Sequence, residues 1–143
     1  MILLDASSVV ALLRGEPAAP EVRALMCEPR VGMPAPNLAE ALYVLAGFPE
    51  VGLERARQAL EGLIDGGLEV VGLDERRSIR AGELRSIHYH RSRRPLSLGD
   101  CLLLASAEAD DAIASSDSGV IAVAGLEGLR AIPLPDSSGR RPR

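Results

Sequence analysis

The sequence contains no lysine, and all sixteen of its Lys or Arg positions are arginine. Several enzyme classes are excluded on this ground. A P-loop nucleotide triphosphatase needs a lysine on the phosphates, a Schiff-base enzyme needs the amine, and Ser-x-x-Lys hydrolases need their base. The formal net charge is −4, which argues against a protein that coats nucleic acid through overall positive charge. Any contact with nucleic acid must therefore be local.

Aromatic residues are scarce, at 2% of the chain, so aliphatic side chains must form the core. The hydrophobic fraction of 47% is sufficient for a folded protein, and 143 residues correspond to one domain. We expect this domain to span residues 1–133. Residues 134–143 have the composition of a disordered basic tail.

Paired cysteines and long apolar runs are also missing. Cys27 and Cys101 lack the CxxC spacing of a zinc or redox motif, and we expect both to be free, reduced thiols. The apolar run at the N-terminus is interrupted by Asp5, unlike a signal peptide, and no run approaches the ~20 residues of a membrane span. We therefore expect a cytoplasmic protein without membrane association.

Short apolar segments alternate with helical patterns along the chain. Strands are predicted at residues 1–4, 31–33, 68–71, 112–114 and 129–132. This alternation predicts an α/β fold in which a mainly parallel sheet is covered by helices on both faces. A long polar helix predicted over residues 74–89 should face the core with Ile79, Leu84 and Ile87.

Four acidic residues occupy the predicted junctions where a strand or loop passes into a helix. They are Asp5, Glu40, Asp100 and Asp117. In a parallel α/β sheet such junctions lie at the carboxyl edge, where these folds bind ligands. Carboxylates gathered there repel one another unless a cation is present, and Mg²⁺ or Mn²⁺ suits oxygen ligands. The pattern predicts a metal site for one or two ions.

Helix capping is the alternative explanation for each acid taken alone, because acidic side chains in a first turn satisfy free backbone N–H groups. Asn37 is predicted to cap a helix with Glu40 three residues later, and Ser97 to cap another with Asp100 in its first turn. The other two acids lack this complete pattern, and a serine is the predicted cap of the first helix. Capping and metal binding are compatible, since a cap fixes an acid at the sheet edge.

The residues around the four acids resemble the motifs of the PIN domain, in particular those of VapC-type toxins from bacterial toxin–antitoxin pairs. The four motifs are Leu3-Leu4-Asp5-Ala6-Ser7, Asn37-Leu38-Ala39-Glu40, Leu96-Ser97-Leu98-Gly99-Asp100 and Ser115-Ser116-Asp117. They follow in order over nearly the whole chain to Ile132. The resemblance implies a three-layer α/β/α sandwich with a central, mainly parallel sheet.

The resemblance also implies a function: a Mg²⁺- or Mn²⁺-dependent endoribonuclease that hydrolyses RNA as the toxin of a type II toxin–antitoxin system. It implies a homodimer and a cognate antitoxin that blocks the site. The four acids would be the catalytic metal ligands, and Ser7 and Ser115 would support them. Two departures from the family concern substrate contacts: Cys101 stands where close relatives often have arginine, and Ser118-Gly119 where a charged or bulky residue is frequent.

Two alternatives differ in kind. A degenerate PIN fold could act as a non-catalytic RNA- or protein-binding module. A phosphate-transfer enzyme of the haloacid dehalogenase kind also begins with a strand ending in aspartate, but it needs a second aspartate two residues later, where this chain has Ser7. The first alternative stays open and the second is disfavoured.

A basic segment before the third acid is a candidate RNA contact. Arg91, Arg93 and Arg94 can bind phosphates, and Tyr89 can stack on an unpaired base. The alternative is a solvated linker, since charged runs often have no partner. The two histidines of this segment lack the further ligands that a zinc site needs.

Overall fold

The computed structural model describes residues 1–142 and contains one sheet and seven helices within that range. The strands are β1 Ile2–Leu4, β2 Val31–Pro34, β3 Glu69–Val71, β4 Ala112–Ser115 and β5 Arg130–Pro133. The helices are α1 Ala6–Arg14, α2 Ala19–Leu25, α3 Ala35–Ala46, α4 Gly52–Asp65, α5 Glu75–His88, α6 Leu98–Ser106 and α7 Ser118–Leu126. The sheet order is β3-β2-β1-β4-β5 and every pairing is parallel. The predicted parallel sheet is confirmed.

Strand β1 lies at the centre of the sheet, paired with β2 on one side and β4 on the other. Successive side chains of a strand point to opposite faces. Accordingly, Leu4 packs into a core with residues of α1 to α4, and Leu3 packs into a second core with residues of α5 to α7. Both leucines are fully buried. Helices therefore cover both faces, and the predicted three-layer α/β/α fold is confirmed.

Two helices, α1 and α3, begin differently from the predicted caps. Asp5, and not a serine, is the N-cap of α1, which ends as expected at Gly15 in the left-handed conformation with φ 67°. Helix α3 begins at Ala35, so Asn37 lies inside the helix and does not cap it. Pro36 does not delay the start of α3, because proline lacks only an N–H that the first turn leaves free.

Helix α5 faces the core differently from the prediction. Leu84 is buried together with Ala81, but Ile79 and Ile87 are 57% and 67% exposed. Each helical residue advances by about 100°, which places Ile79 on the side opposite Ala81. A small side chain, Ala81, takes the inner position that the apolar pattern assigns to isoleucine.

The segment after β5 contacts the domain. Leu134 is buried, and Arg141 pairs with Glu21 on α2. The domain boundary at residue 133 and the disorder of residues 134–143 stay predictions, and the last residue of this tail, Arg143, lies outside the described residues. Both cysteines are free, as expected. Among residues 1–142 there is no helix with the length and apolar character needed to span a bilayer.

Candidate active site

Asp5 follows the central strand and is almost completely buried, at 5% exposure. Its Oδ1 accepts a hydrogen bond from the N–H of Ala6 at 2.7 Å. Its Oδ2 accepts from the hydroxyl of Ser7 at 3.0 Å and from that of Ser115 at 2.7 Å. Three donors therefore fix the orientation of this carboxylate at the carboxyl edge of the sheet.

Burial raises the pKa of the Asp5 carboxyl above its ordinary value, and the negative charge of Asp100 raises it further. The hydrogen bonds from Ser115, Ser7 and the N–H of Ala6 oppose this shift because they favour the charged form. Burial has the largest effect. Ionisation of Asp5 is therefore unfavourable in free energy unless a positively charged group lies near it.

Glu40 projects from α3 and shares this environment. Burial raises its pKa, and the charges of Asp5 and Asp100 raise it further. Its Oε2 lies against Gly99 in the first turn of α6, where a Cβ atom would stand only 2.9 Å from this oxygen. The absence of a side chain at Gly99 lets α6 approach the Glu40 carboxylate.

Asp100 forms a capping box with Ser97 at the start of α6. The Ser97 hydroxyl accepts from the N–H of Asp100 at 3.0 Å, and Asp100 Oδ2 accepts from the N–H of Ser97 at 2.6 Å. The predicted cap is confirmed. It uses one carboxylate oxygen and leaves Oδ1 without a hydrogen bond from residues 1–142.

Asp117 is the N-cap of α7. Its Oδ1 accepts from the N–H groups of Gly119 and Val120 at 2.6 and 2.9 Å. Its own N–H donates to the hydroxyl of Ser115 at 3.0 Å. A Cβ atom at Gly119 would lie 2.9 Å from Oδ1 of Asp117, so glycine is the residue that fits after Ser118.

The four acids line one open cavity of about 330 Å³ at the carboxyl edge of the sheet. Its wall also contains Ala6, Ser7, Ser97 and Ser116. Within residues 1–142, however, no three or more His, Cys, Asp or Glu side chains are grouped tightly enough to hold a metal ion. The structure thus brings the predicted acids to one cavity without drawing them together.

The donor set fits a hard divalent cation. All four acids supply carboxylate oxygens, the ligands that Mg²⁺ and Mn²⁺ prefer. A cation would stabilise the charged form of Asp5 and Glu40, whose pKa is raised by burial and by the charges of neighbouring carboxylates.

Cys101, the first departure from the family pattern, is fully buried in α6. Burial raises the pKa of its thiol, which is therefore protonated at neutral pH. Its side chain lies in the core and does not line the acidic cavity. The substitution concerns packing of α6 and leaves the acids in place.

The candidate RNA-binding arginines lie in a turn closed by a bridge between residues 90 and 94. The guanidinium of Arg93 contacts the ring of His90, with a shortest distance of 3.1 Å, and that of Arg94 contacts Nδ1 of His88 at 3.2 Å. Arg91 is exposed. Arg94 lies beside the first turn of α7, which follows Asp117 in the sequence, since its Cγ would lie 3.5 Å from a Cβ at Gly119.

Sequence reasoning missed two features of the site. Ser116 lies in the cavity wall, and its hydroxyl donates to the Ser7 hydroxyl at 3.2 Å. Arg140 and Arg141 lie beside Asp117, lining a neighbouring cavity. The motif around Asp117 could have indicated Ser116. No local signal could have placed the two arginines, because their position depends on how the chain returns after β5.

Comparison with known proteins agrees with this architecture. A family model described as "PIN domain" matches residues 2–126. VapBC2 of Rickettsia felis, solved bound to promoter DNA, superposes with a TM-score of 0.68 at 18% identity, over 92% of this chain and 98% of that chain. DNA-bound VapBC of Salmonella typhimurium superposes with a TM-score of 0.68 at 20% identity. The match covers 92% of this chain and 96% of that chain.

A third similar structure is VapC20 of Mycobacterium tuberculosis, described as a toxin that cleaves the sarcin–ricin loop. It gives a TM-score of 0.61 at 19% identity, over 92% of this chain and 87% of that chain. Among curated protein sequences, none matches this chain. At these identities the structural matches show the shared fold.

Proposed function

The chain belongs to the PIN domain family, and on that basis we propose that it is a Mg²⁺- or Mn²⁺-dependent endoribonuclease, the toxin of a type II toxin–antitoxin system. One observation carries this proposal: four carboxylates from four separate junctions line a single cavity at the carboxyl edge of the sheet. The description of VapC20 as a toxin that cleaves a ribosomal RNA loop supports RNA as the substrate class.

Asp5, Asp100 and Asp117 would hold the cation with Glu40 as a further ligand, and the cation would offset charge on the phosphodiester and acidify a water molecule. The protein's own part is positioning. The hydroxyls of Ser7 and Ser115 orient Asp5 by donating hydrogen bonds to it. Backbone N–H groups orient Asp100 and Asp117 through their caps. Glu40, which lines the same cavity and has a raised pKa, would orient the attacking water.

Cleavage of RNA with and without Mg²⁺ tests the proposal directly. Asp100→Asn keeps an oxygen that can accept from Ser97 and therefore preserves the cap, but it removes a charged ligand. The matched control is Asp110→Asn, which changes an exposed aspartate in the loop before β4. We expect activity only with the metal, loss in Asp100→Asn and no change in Asp110→Asn. Cleavage that persists in EDTA or in Asp100→Asn would overturn the assignment.

Contacts with RNA through Arg91, Arg93 and Arg94 belong to the same proposal. The supporting observation is the position of Arg94 beside the first turn of α7. A variant with all three arginines changed to glutamate should bind RNA more weakly while the acids stay intact. Normal RNA cleavage by this variant would favour the solvated-linker interpretation.

A cognate antitoxin, a homodimer and a cytoplasmic location complete the proposal. VapBC structures from Rickettsia felis and Salmonella typhimurium contain toxin and antitoxin together, which supports the antitoxin partner. A small adjacent gene whose product suppresses growth arrest by this chain would establish the pair. Light scattering of the purified protein would measure the oligomeric state.

A binding-only PIN fold is the second candidate, favoured by one observation: no three carboxylates in residues 1–142 converge closely enough for a metal ion. Titration with Mn²⁺ followed by calorimetry separates the two candidates. Saturable binding that Asp100→Asn abolishes supports the nuclease. RNA binding without any metal binding supports the binding module.

A further inference from the structure

The chain after β5 folds back beside the acidic cavity. Leu134 is fully buried, and its N–H donates to the carbonyl oxygen of Ser115 at 2.9 Å. Arg141 donates to Glu21 on α2 at 2.6 Å. These contacts hold both ends of a turn over residues 135–140, which we call the C-terminal turn.

Asp136 organises the C-terminal turn. Its Oδ1 accepts from the N–H groups of Ser138 and Arg140 at 2.8 and 2.9 Å, and from the Ser138 hydroxyl at 2.6 Å. The aspartate is thus engaged within the turn. The Arg140 side chain is 83% exposed, and its Nε donates to the Ser138 hydroxyl and pairs with Oδ2 of Asp136 at 3.7 Å. Both terminal nitrogens of this guanidinium are available to a ligand.

A cavity of about 350 Å³ lies between the C-terminal turn and the start of α7. Arg140 and Arg141 line it together with Ser118. It shares Ser116 and Asp117 with the acidic cavity, so the two are continuous. This recess, whose wall also includes Asp136, therefore places two guanidinium groups beside the proposed catalytic carboxylates.

We propose that this recess binds a non-scissile phosphate of the RNA, with Arg140 as the principal contact, an inference that rests on the proposed function. A polynucleotide cleaved in the acidic cavity must place neighbouring phosphates just outside it. Four carboxylates repel those phosphates, and a guanidinium at the edge offsets the repulsion. The planar guanidinium presents paired donors that match phosphate oxygens.

The recess also complements the other basic segment. Arg94 lies against Gly119 in the first turn of α7, and the recess is lined by Ser116, Asp117 and Ser118. Arginines thus stand near Asp117 from two separate parts of the chain. RNA would thus contact arginines of both segments close to Asp117.

Binding of a fluorescent single-stranded RNA oligonucleotide in EDTA tests the inference without catalysis. We compare Arg140→Gln with Arg30→Gln, an exposed arginine that also pairs with a carboxylate but precedes β2 at the opposite edge of the sheet. Arg140→Gln should weaken binding about fivefold at low salt and reduce the salt dependence by roughly one phosphate contact. Arg30→Gln should bind as the wild type does, and Arg140→Lys, which keeps the charge but not the paired donors, should recover only part of the loss.

Equal affinities of Arg140→Gln and wild type would overturn the inference, as would equal losses in Arg140→Gln and Arg30→Gln. Absence of RNA binding by the wild type would overturn it as well. A separate cleavage assay of the wild type with Mg²⁺ decides the proposed function. If the wild type cleaves RNA while Arg140→Gln binds RNA unchanged, the nuclease assignment stands. Only the proposal that the recess binds a phosphate would then be refuted.

Discussion

Ser115 donates its hydroxyl hydrogen to Oδ2 of Asp5 at 2.7 Å, across 110 positions of the sequence. The same hydroxyl oxygen accepts the N–H of Asp117 at 3.0 Å. One fully buried side chain therefore fixes two of the four acids relative to each other. The relation follows from the parallel pairing of β1 with β4, which brings the ends of both strands to the same edge.

Removal of this link should impair the site more than the fold. Ser115→Ala deletes one of the three donors to Asp5 and the acceptor for Asp117, and loss of such a supporting hydrogen bond typically lowers metal affinity or activity about 10- to 100-fold. Kinetics of RNA cleavage at several Mg²⁺ concentrations would measure this. Ser106→Ala is the matched control, because Ser106 is also buried but donates to Leu102 inside α6. Equal losses in the two variants would contradict the role of Ser115.

Asp5 should make the metal-free protein less stable as the pH rises. Its pKa in the folded state is raised above the ordinary value of 3.8, so the folded state binds the proton more tightly than the unfolded state does. The contribution of this group to the free energy of unfolding is then most favourable below the unfolded pKa. It decreases as the pH rises through the folded pKa.

Asp5→Asn isolates this effect, since asparagine does not titrate. In EDTA, the free energy of unfolding of wild type minus that of Asp5→Asn should fall as the pH is raised from about 4 towards neutrality. Urea unfolding at a series of pH values measures the difference. Other carboxyls with lowered pKa, such as Asp111, contribute equally to both proteins and cancel. A difference that is constant with pH would mean that the Asp5 pKa is not raised.

Much of the fold could be predicted because the strands are short apolar runs separated by helical patterns. The pattern is less informative where it carries no helical period. Helix α7 is apolar on nearly all sides, so no helical periodicity marks it in the sequence. For α5 the apolar residues are present, but the buried face is chosen by packing against α6, which places Ile79 and Ile87 outside.

The acids could be found because a junction between strand and helix is a property of the local sequence. Their capping roles could be predicted only in part. The cap of Ser97 with Asp100 is confirmed, and Asp5 and Asp117 are N-caps although their motifs lack the complete pattern. The predicted Asn37 cap is wrong, since Glu40 lies well inside α3. Helix α3 begins at Ala35, directly after β2 ends at Pro34, so Asn37 does not set its start. Contacts such as Arg140 beside Asp117 depend on the whole path of the chain.

Gly99 should be essential for the position of Glu40 without being essential for folding. Alanine there would place a Cβ 2.9 Å from Glu40 Oε2, and the flexible carboxylate would move away. Alanine also favours the helix by up to about 1 kcal/mol relative to glycine, so the stability should change little. We expect Gly99→Ala to lower RNA cleavage about tenfold or more, since small misplacements of catalytic groups have large effects.

Gly62→Ala is the control for Gly99→Ala, because Gly62 lies in α4 where an added Cβ atom would meet no neighbouring element within 4 Å. That variant should be slightly more stable and fully active. Thermal unfolding and cleavage rates of both variants would be compared. Full activity of Gly99→Ala would show that Glu40 is not held by this contact.

A divalent cation should stabilise the folded protein because it offsets the repulsion among Asp5, Glu40 and Asp100. A ligand that binds only the folded state at 100 times its dissociation constant adds about 2.7 kcal/mol to the free energy of unfolding. Thermal unfolding should therefore shift upward with Mn²⁺ or Mg²⁺ in the wild type. It should shift much less in Asp100→Asn, which lacks one of the charges. Asp110→Asn, which lies outside the cavity, should respond as the wild type does, and an equal shift in all three proteins would place cation binding elsewhere.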